Sequence, residues 1–130
     1  FAGDVGSVSI AFWVVTLLLL LIIETRDLIW IGFLLVYGVD SVCTILHRIY
    51  LKQNIMEAHR LHFYQILANE CKTDHRVVSI IYFIAQLFCS ALIIIFYPMV
   101  GWWIFLILVI TLVSLYTMKF RLMKKYSLKK

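Results

Sequence analysis

Charge is what this sequence lacks most. Of its 130 residues, 15% are charged and 64% are hydrophobic, and the mean hydropathy is +0.98. A soluble domain averages about 45–50% apolar residues. The excess here is arranged in long uncharged blocks, which excludes a soluble core and reads as an integral membrane protein. Cysteine is scarce as well. Cys43, Cys71 and Cys89 are odd in number and form no Cys-x-x-Cys, so neither a disulfide framework nor a cysteine zinc knuckle is indicated. Alternation of apolar and polar residues is missing from the blocks, which excludes a membrane β-barrel. Neither an internal repeat nor a low-complexity linker interrupts the chain. No charged segment precedes the first apolar block, so that block is not a signal peptide. The first residue is not Met and the first residues are already motif-like, so the chain is expected to begin inside something longer.

What is present is four apolar blocks around one polar island. The lead, Phe1-Ala2-Gly3-Asp4-Val5-Gly6-Ser7, is glycine-rich, and residues 8–23 then run without a charge. That block is short against the roughly 20 residues a bilayer core needs, and the glycines and serine before it are able to extend its helix. A polar turn, Glu24-Thr25-Arg26-Asp27, leads to a second span at 28–46, interrupted only by Asp40. A third runs over 77–97 and is expected to stop at Pro98, because proline breaks a helix ladder. The fourth is 99–118, with Trp102 and Trp103 beside Tyr97 as interfacial anchors, followed by a basic tail at 119–130. The expected fold class is all-α. A single polytopic membrane domain over 1–130 would hold four transmembrane helices in two hairpins, with an amphipathic helix in the loop 47–76.

The basic residues orient these spans. Five Lys and Arg lie in the island (Arg48, Lys52, Arg60, Lys72, Arg76), six lie in the tail, and Arg26 alone lies opposite. The split is 11 to 1, so the lead, island and tail are expected on the cytoplasmic side by the positive-inside rule. The net charge of +5 therefore reads as orientation rather than nucleic-acid binding. Within the island, Leu46, Ile49 and Tyr50 continue the spacing of the second span, so that helix is expected to protrude to about Lys52. Leu61, Tyr64, Leu67 and Ala68 form an apolar stripe within 57–70. His59 and His62 share a face of this helix.

Each polar candidate has a chemical and a plain reading. Asp4, in Gly-Asp-Val-Gly-Ser before a helix, suits Mg²⁺, which favours one or two carboxylates plus waters and phosphates. Gly3 and Gly6 allow close approach of a phosphate to the backbone; the plain reading is helix capping. His59, Arg60 and His62 suit a diphosphate, with a planar fork and two imidazoles, or else form a basic interfacial helix over anionic lipid headgroups. Zinc is a third reading of the island, through His59, His62, Cys71 and His75. A bis-histidine haem is not indicated, since none of the histidines lies within a span. Asp40, about 9 Å inside the end of its span, is either a functional intramembrane acid or a buried hydrogen-bonding group paired with Ser41 or Thr44. Tyr37 and Gln86 read as helix-packing residues, and Cys43 and Cys89 as small apolar fillers.

Phe1–Ser7 resembles the F-x-G-D-x-G-S motif of the polyprenyl-phosphate N-acetylhexosamine-1-phosphate transferases, relatives of phospho-N-acetylmuramoyl-pentapeptide transferase. Asp40, Thr44 and Arg48, followed by Ala58-His59-Arg60-Leu61-His62-Phe63-Tyr64-Gln65, resemble the A-H-R-x-H-x-Y-Q region of the branch that initiates O-antigen and capsule. The resemblance covers essentially the whole chain. It implies transfer of a sugar-1-phosphate from a UDP-N-acetylhexosamine to undecaprenyl phosphate at the bacterial inner membrane, with Mg²⁺ as cofactor. By that resemblance Asp4, His59 and His62 would be catalytic, with Asp4 the magnesium ligand. Arg60, Gly6, Ser7, Arg48 and Asp40 would bind substrate. An earlier Asp-Asp pair expected of the family is not in this stretch, so the chain is expected to be the C-terminal portion of the enzyme and inactive alone. Membrane lipid is an implied partner, nucleic acid is not, and a homodimer is left open. The alternative is a non-catalytic accessory membrane protein whose basic loop binds lipid or a partner.

Overall fold

A computed structural model describes residues 3–54, 62–69 and 73–127, with backbone alone at Asp4, Asn69 and 119–127. The described residues are helical, without a strand: α1 (Gly3–Thr25), a 3₁₀ segment (Leu28–Leu34), α2 (Leu35–Tyr50), α3 (Phe63–Asn69), α4 (His75–Val100) and α5 (Trp103–Ser127). Among the described residues three stretches are long and apolar enough to cross a bilayer: Val5–Thr25, Leu28–Tyr50 and His75–Val100. The apolar part of the last helix, Trp103–Met118, is shorter.

Packing is uneven. α2, α4 and α5 pack against one another, and the 3₁₀ segment lies between α1 and α4. The core is built from Ile29 and Ile93, both fully buried, with Leu35, Val78, Cys89, Ile104 and Leu108 around them. α1 leans on the 3₁₀ segment, and no residue of its Val5–Thr25 stretch is buried within the protein. For a helix with apolar side chains on every face, that is the surface a lipid environment covers.

The observed ends differ from several expected ones, each for a local reason. The first helix begins at Gly3 rather than residue 8, so the glycine-rich lead is helical where it is described. The second span is not one helix: its first seven residues are 3₁₀, capped by the Asp27 carboxylate, which accepts from the Ile29 N–H at 3.0 Å. α2 stops at Tyr50, two residues before the expected limit. It ends in a left-handed Lys52 (φ 54°), with the N–H of Gln53 on the Arg48 carbonyl and that of Lys52 on Ile49. This is the paired pattern that satisfies the last carbonyls of a helix, usually built on glycine.

α4 starts at His75, capped by Asp74 through the Arg76 N–H at 2.7 Å, and passes through Pro98 to Val100. A proline in the final turn removes a single ladder donor, and Gly101 (φ 60°) makes the reversal three residues later. Residues 99 and 100 thus belong to the third long helix, and the fourth starts at Trp103. The tail is not separate from it, since α5 continues to Ser127. In the loop, the helix at Phe63–Asn69 falls inside the expected amphipathic stretch, while residues 57–61 lie outside the described ones.

Candidate polar site at the loop end of the bundle

Asp40, Thr44 and Arg48 recur every four residues along α2, so they form one stripe on one face. They are the buried polar side chains among the described residues: Asp40 is 5% exposed, Thr44 0% and Arg48 2%. The stripe faces α4 and α5, and α3 closes over it.

The Asp40 carboxylate collects donors from three other elements or turns. Oδ1 accepts from the Phe63 N–H at 2.8 Å and from Thr44 Oγ1 at 3.4 Å; Oδ2 accepts from the Tyr82 hydroxyl at 3.0 Å. Thr44 Oγ1 also shares a hydrogen bond with the Tyr116 hydroxyl of α5 at 3.0 Å. His62 Nδ1 stands 3.9 Å from Asp40 Oδ1, within ion-pair range when the imidazole is protonated. Of the two readings of Asp40, the geometry favours the hydrogen-bonded one, with Thr44 as one partner.

The quartet His62-Phe63-Tyr64-Gln65 is consumed in this docking. The His62 N–H donates to Gln65 Oε1 at 3.3 Å, the backward half of a capping box at the start of α3. The His62 ring stacks on Tyr64, with centroids 5.6 Å apart and planes at 24°. Tyr64 in turn meets Tyr82 edge to face, at 6.2 Å and 82°, and Phe63 meets Tyr116 at 6.3 Å and 64°. An apolar cavity of about 160 Å³ opens beside the carboxylate, lined among others by Phe63, Leu67, Tyr82, Leu112 and Tyr116.

Arg48 lies one turn beyond Thr44. Its guanidinium donates to the Asn54 carbonyl, tying the chain that leaves α2 back to the helix. The remaining sequence-predicted residues are placed as follows. Gly6 is half-buried and Ser7 exposed, both in the first turns of α1. Asp4 lies inside the first turn of α1. His59 and Arg60 lie outside the described residues, as does Cys71 of the zinc reading. The structure therefore brings Asp40, Arg48 and His62 to one end of the bundle, while Asp4, Gly6 and Ser7 ride on a helix whose main contact is the 3₁₀ segment.

Among the described residues no group of three or more His, Cys, Asp or Glu gathers to hold a metal. Asp40 belongs to no such group, and both of its oxygens accept hydrogen bonds from the protein. Asp4 has the donor chemistry for it, a hard carboxylate beside glycines, in the manner Mg²⁺ prefers when phosphates complete its shell.

Two residues central to this site, Tyr82 and Tyr116, carry no sequence signal beyond being aromatics in apolar helices. Gln86 is a packing residue, as its position in a span implies, and its geometry is specific. Its Oε1 accepts from the Val36 N–H at 2.9 Å, and its Nε2 donates to the Gly32 carbonyl at 2.9 Å and to Ser90 Oγ at 3.2 Å. Gly32 and Val36 are the pair that a continuous α-helix would bond to each other.

No family model matches this chain, and neither the curated proteins nor the solved structures yield a match.

Proposed function

We propose that the chain forms part of a multi-pass membrane transferase that moves a sugar-1-phosphate from a UDP-N-acetylhexosamine to undecaprenyl phosphate. In this reading an oxygen of the lipid phosphate attacks the phosphorus attached to the sugar. A new P–O bond forms, the bond to UMP breaks, and UMP leaves with the electron pair. Four spans in two hairpins keep the lead, loop and tail on the cytoplasmic side of the bacterial inner membrane, where nucleotide sugars are found.

One observation carries the reading. The two parts of the second sequence motif, Asp40-x3-Thr44-x3-Arg48 and His62-Phe63-Tyr64-Gln65, are joined through the 2.8 Å hydrogen bond from Phe63 to Asp40. They also meet in the 3.9 Å approach of His62 to the same carboxylate. A motif whose halves meet in space is better support than two halves in sequence. In the roles proposed, Arg60 grips the diphosphate with its planar fork, and His59 and His62 donate to its oxygens or move a proton near neutral pH. Asp4 holds Mg²⁺, which when bound offsets the negative charge gathered between the phosphates.

The test is turnover of UDP-N-acetylhexosamine with undecaprenyl phosphate by the complete coding sequence in nanodiscs. Asp4→Asn is expected to abolish most turnover without unfolding the protein, and Arg60→Lys to restore only part of what Arg60→Ala loses. Full activity of Asp4→Asn at ordinary Mg²⁺ sinks the metal assignment. If Arg60→Lys matches wild type and activity follows anionic lipid content alone, the accessory lipid-binding reading takes its place. Topology is checked separately by single cysteines at positions 25 and 72 in intact cells: an impermeant thiol reagent is expected to reach 25 and not 72.

A further inference from the structure

An intramembrane acid on a span that also carries a substrate-binding motif invites the view that it touches substrate. The geometry at Asp40 points elsewhere. Both carboxylate oxygens are occupied, one by the Phe63 N–H and Thr44 and the other by Tyr82. These groups lie on different parts of the fold: the start of α3, the first third of α4 and Thr44 of α2, which in turn bonds the Tyr116 hydroxyl of α5. The carboxylate is 5% exposed, so none of this is a surface accident.

We propose that Asp40 is a positioning residue: its carboxylate anchors the island loop to the bundle by capping the first backbone N–H of α3, and so fixes where His62 stands. His59 and Arg60 precede His62 by three and two residues, so wherever they stand the anchor keeps them within about 11 Å of it by chain length alone. Tyr82 and Thr44 hold the carboxylate in place. The aromatic contacts of Phe63 with Tyr116 and of Tyr64 with Tyr82 seat the helix once the anchor is made. The catalytic consequence rests on the transferase reading; the anchoring itself does not.

Two substitutions remove the same bond from opposite ends. Asp40→Ala removes the acceptor. Phe63→Pro removes the donor and leaves Asp40 intact, at the first position of a helix, where proline is well accommodated. Phe63→Ala keeps the N–H and loses only the ring, and Asp40→Asn keeps a neutral acceptor. α3 carries Tyr64 and Leu67, so the opening of this part of the loop is read by limited chymotrypsin cleavage within α3 of the full-length protein in nanodiscs, alongside turnover. A hydrogen bond to a charged acceptor corresponds to roughly a tenfold or larger change in an opening equilibrium. Asp40→Ala and Phe63→Pro are each expected to raise loop cleavage by about that factor. The double variant should be no worse than either alone, and Asp40→Asn and Phe63→Ala should stay closer to wild type. Turnover, where present, should fall in step with loop opening across the set.

The proposal is overturned if Asp40→Ala or Phe63→Pro leaves cleavage at the wild-type rate, or if their effects multiply in the double variant. It is also overturned if Asp40→Asn loses turnover as Asp40→Ala does while its loop stays protected, since that marks direct contact with substrate. The expected cleavage pattern in a full-length protein without any transferase activity upholds the anchor and removes the transferase reading.

Discussion

Between its helices the bundle uses a half-buried amide and a buried carboxylate in opposite ways. Near the turn side, Gln86 reaches from α4 to the junction of the 3₁₀ segment and α2. It mends the backbone there, accepting from Val36 and donating to Gly32. Near the loop side, Asp40 reaches out from α2 and draws in donors from α3 and α4. The chemistry of the two groups decides this. An amide both donates and accepts, so one side chain can bridge a broken N–H to C=O pair and leave nothing unsatisfied. A carboxylate only accepts, so it can mend nothing by itself and instead assembles whatever donors the surrounding elements bring. The first is a repair within one span. The second is a joint between elements.

Exchanging the two chemistries is the strongest way to break that contrast. Gln86→Glu keeps the shape but removes one of the two donors on the Gly32 carbonyl, which keeps the Leu35 N–H, and places a charge among apolar helices, with an expected loss of about 2–3 kcal/mol in unfolding from micelles. If Gln86→Glu is as stable as wild type, the repair role is wrong. Packing at the repaired junction is the next test. A Cβ on Gly32 would overlap Ile93 Cδ1, and Ile93 is fully buried. Gly32→Ala is therefore expected to cost about 1–3 kcal/mol. Ile93→Val, which removes the offending methyl, should return much of it in the double variant; simple additivity of the two would refute the close approach.

At the joint, smaller effects are expected, because several donors share the carboxylate. Tyr82→Phe should cost about 1 kcal/mol of stability, through the single hydroxyl it withdraws. The effect should shrink when Asp40 is already Ala, and an undiminished loss in that background would place the Tyr82 hydroxyl on another partner. The smallest effect lies outside both regions. Lys52 holds a left-handed conformation that costs a non-glycine residue roughly 1 kcal/mol. Lys52→Gly is expected to change stability by less than about 1 kcal/mol in the favourable direction, because glycine loses more chain entropy on folding. A clear destabilisation in a thermal melt would mean that the Lys52 side chain matters more than its backbone.

What could be read in the sequence follows from how local its causes are. The apolar blocks are local, and the all-helical character with long apolar helices was legible from them. Asp40 and Thr44 are four residues apart, so their pairing was legible as one of two options. The other partners of the site are not local: Tyr82 lies 42 residues from Asp40, and Tyr116 lies 72 from Thr44. Nothing in a single sequence distinguishes these tyrosines from their neighbours. Pro98 was misleading for a different reason. A breaker in the last turn of a helix has little left to break, and the stop belongs to Gly101. The 3₁₀ segment was invisible because the side chain that bonds across its junction, Gln86, lies 50 residues beyond Val36.

That last dependence has a temporal side. Val36 emerges from the ribosome fifty residues before Gln86, the side chain that bonds it. A lone span in lipid satisfies every backbone group within itself. Until α4 arrives, the Val36 N–H therefore has the Gly32 carbonyl as its natural partner, as in an unbroken α-helix. Seven residues that pass from a rise of about 1.5 Å to about 2.0 Å lengthen the span by roughly 3.5 Å. On that order of events the arrival of α4 would do more than add a neighbour: it would rewind a helix already formed, and the nascent protein would change length as it is completed.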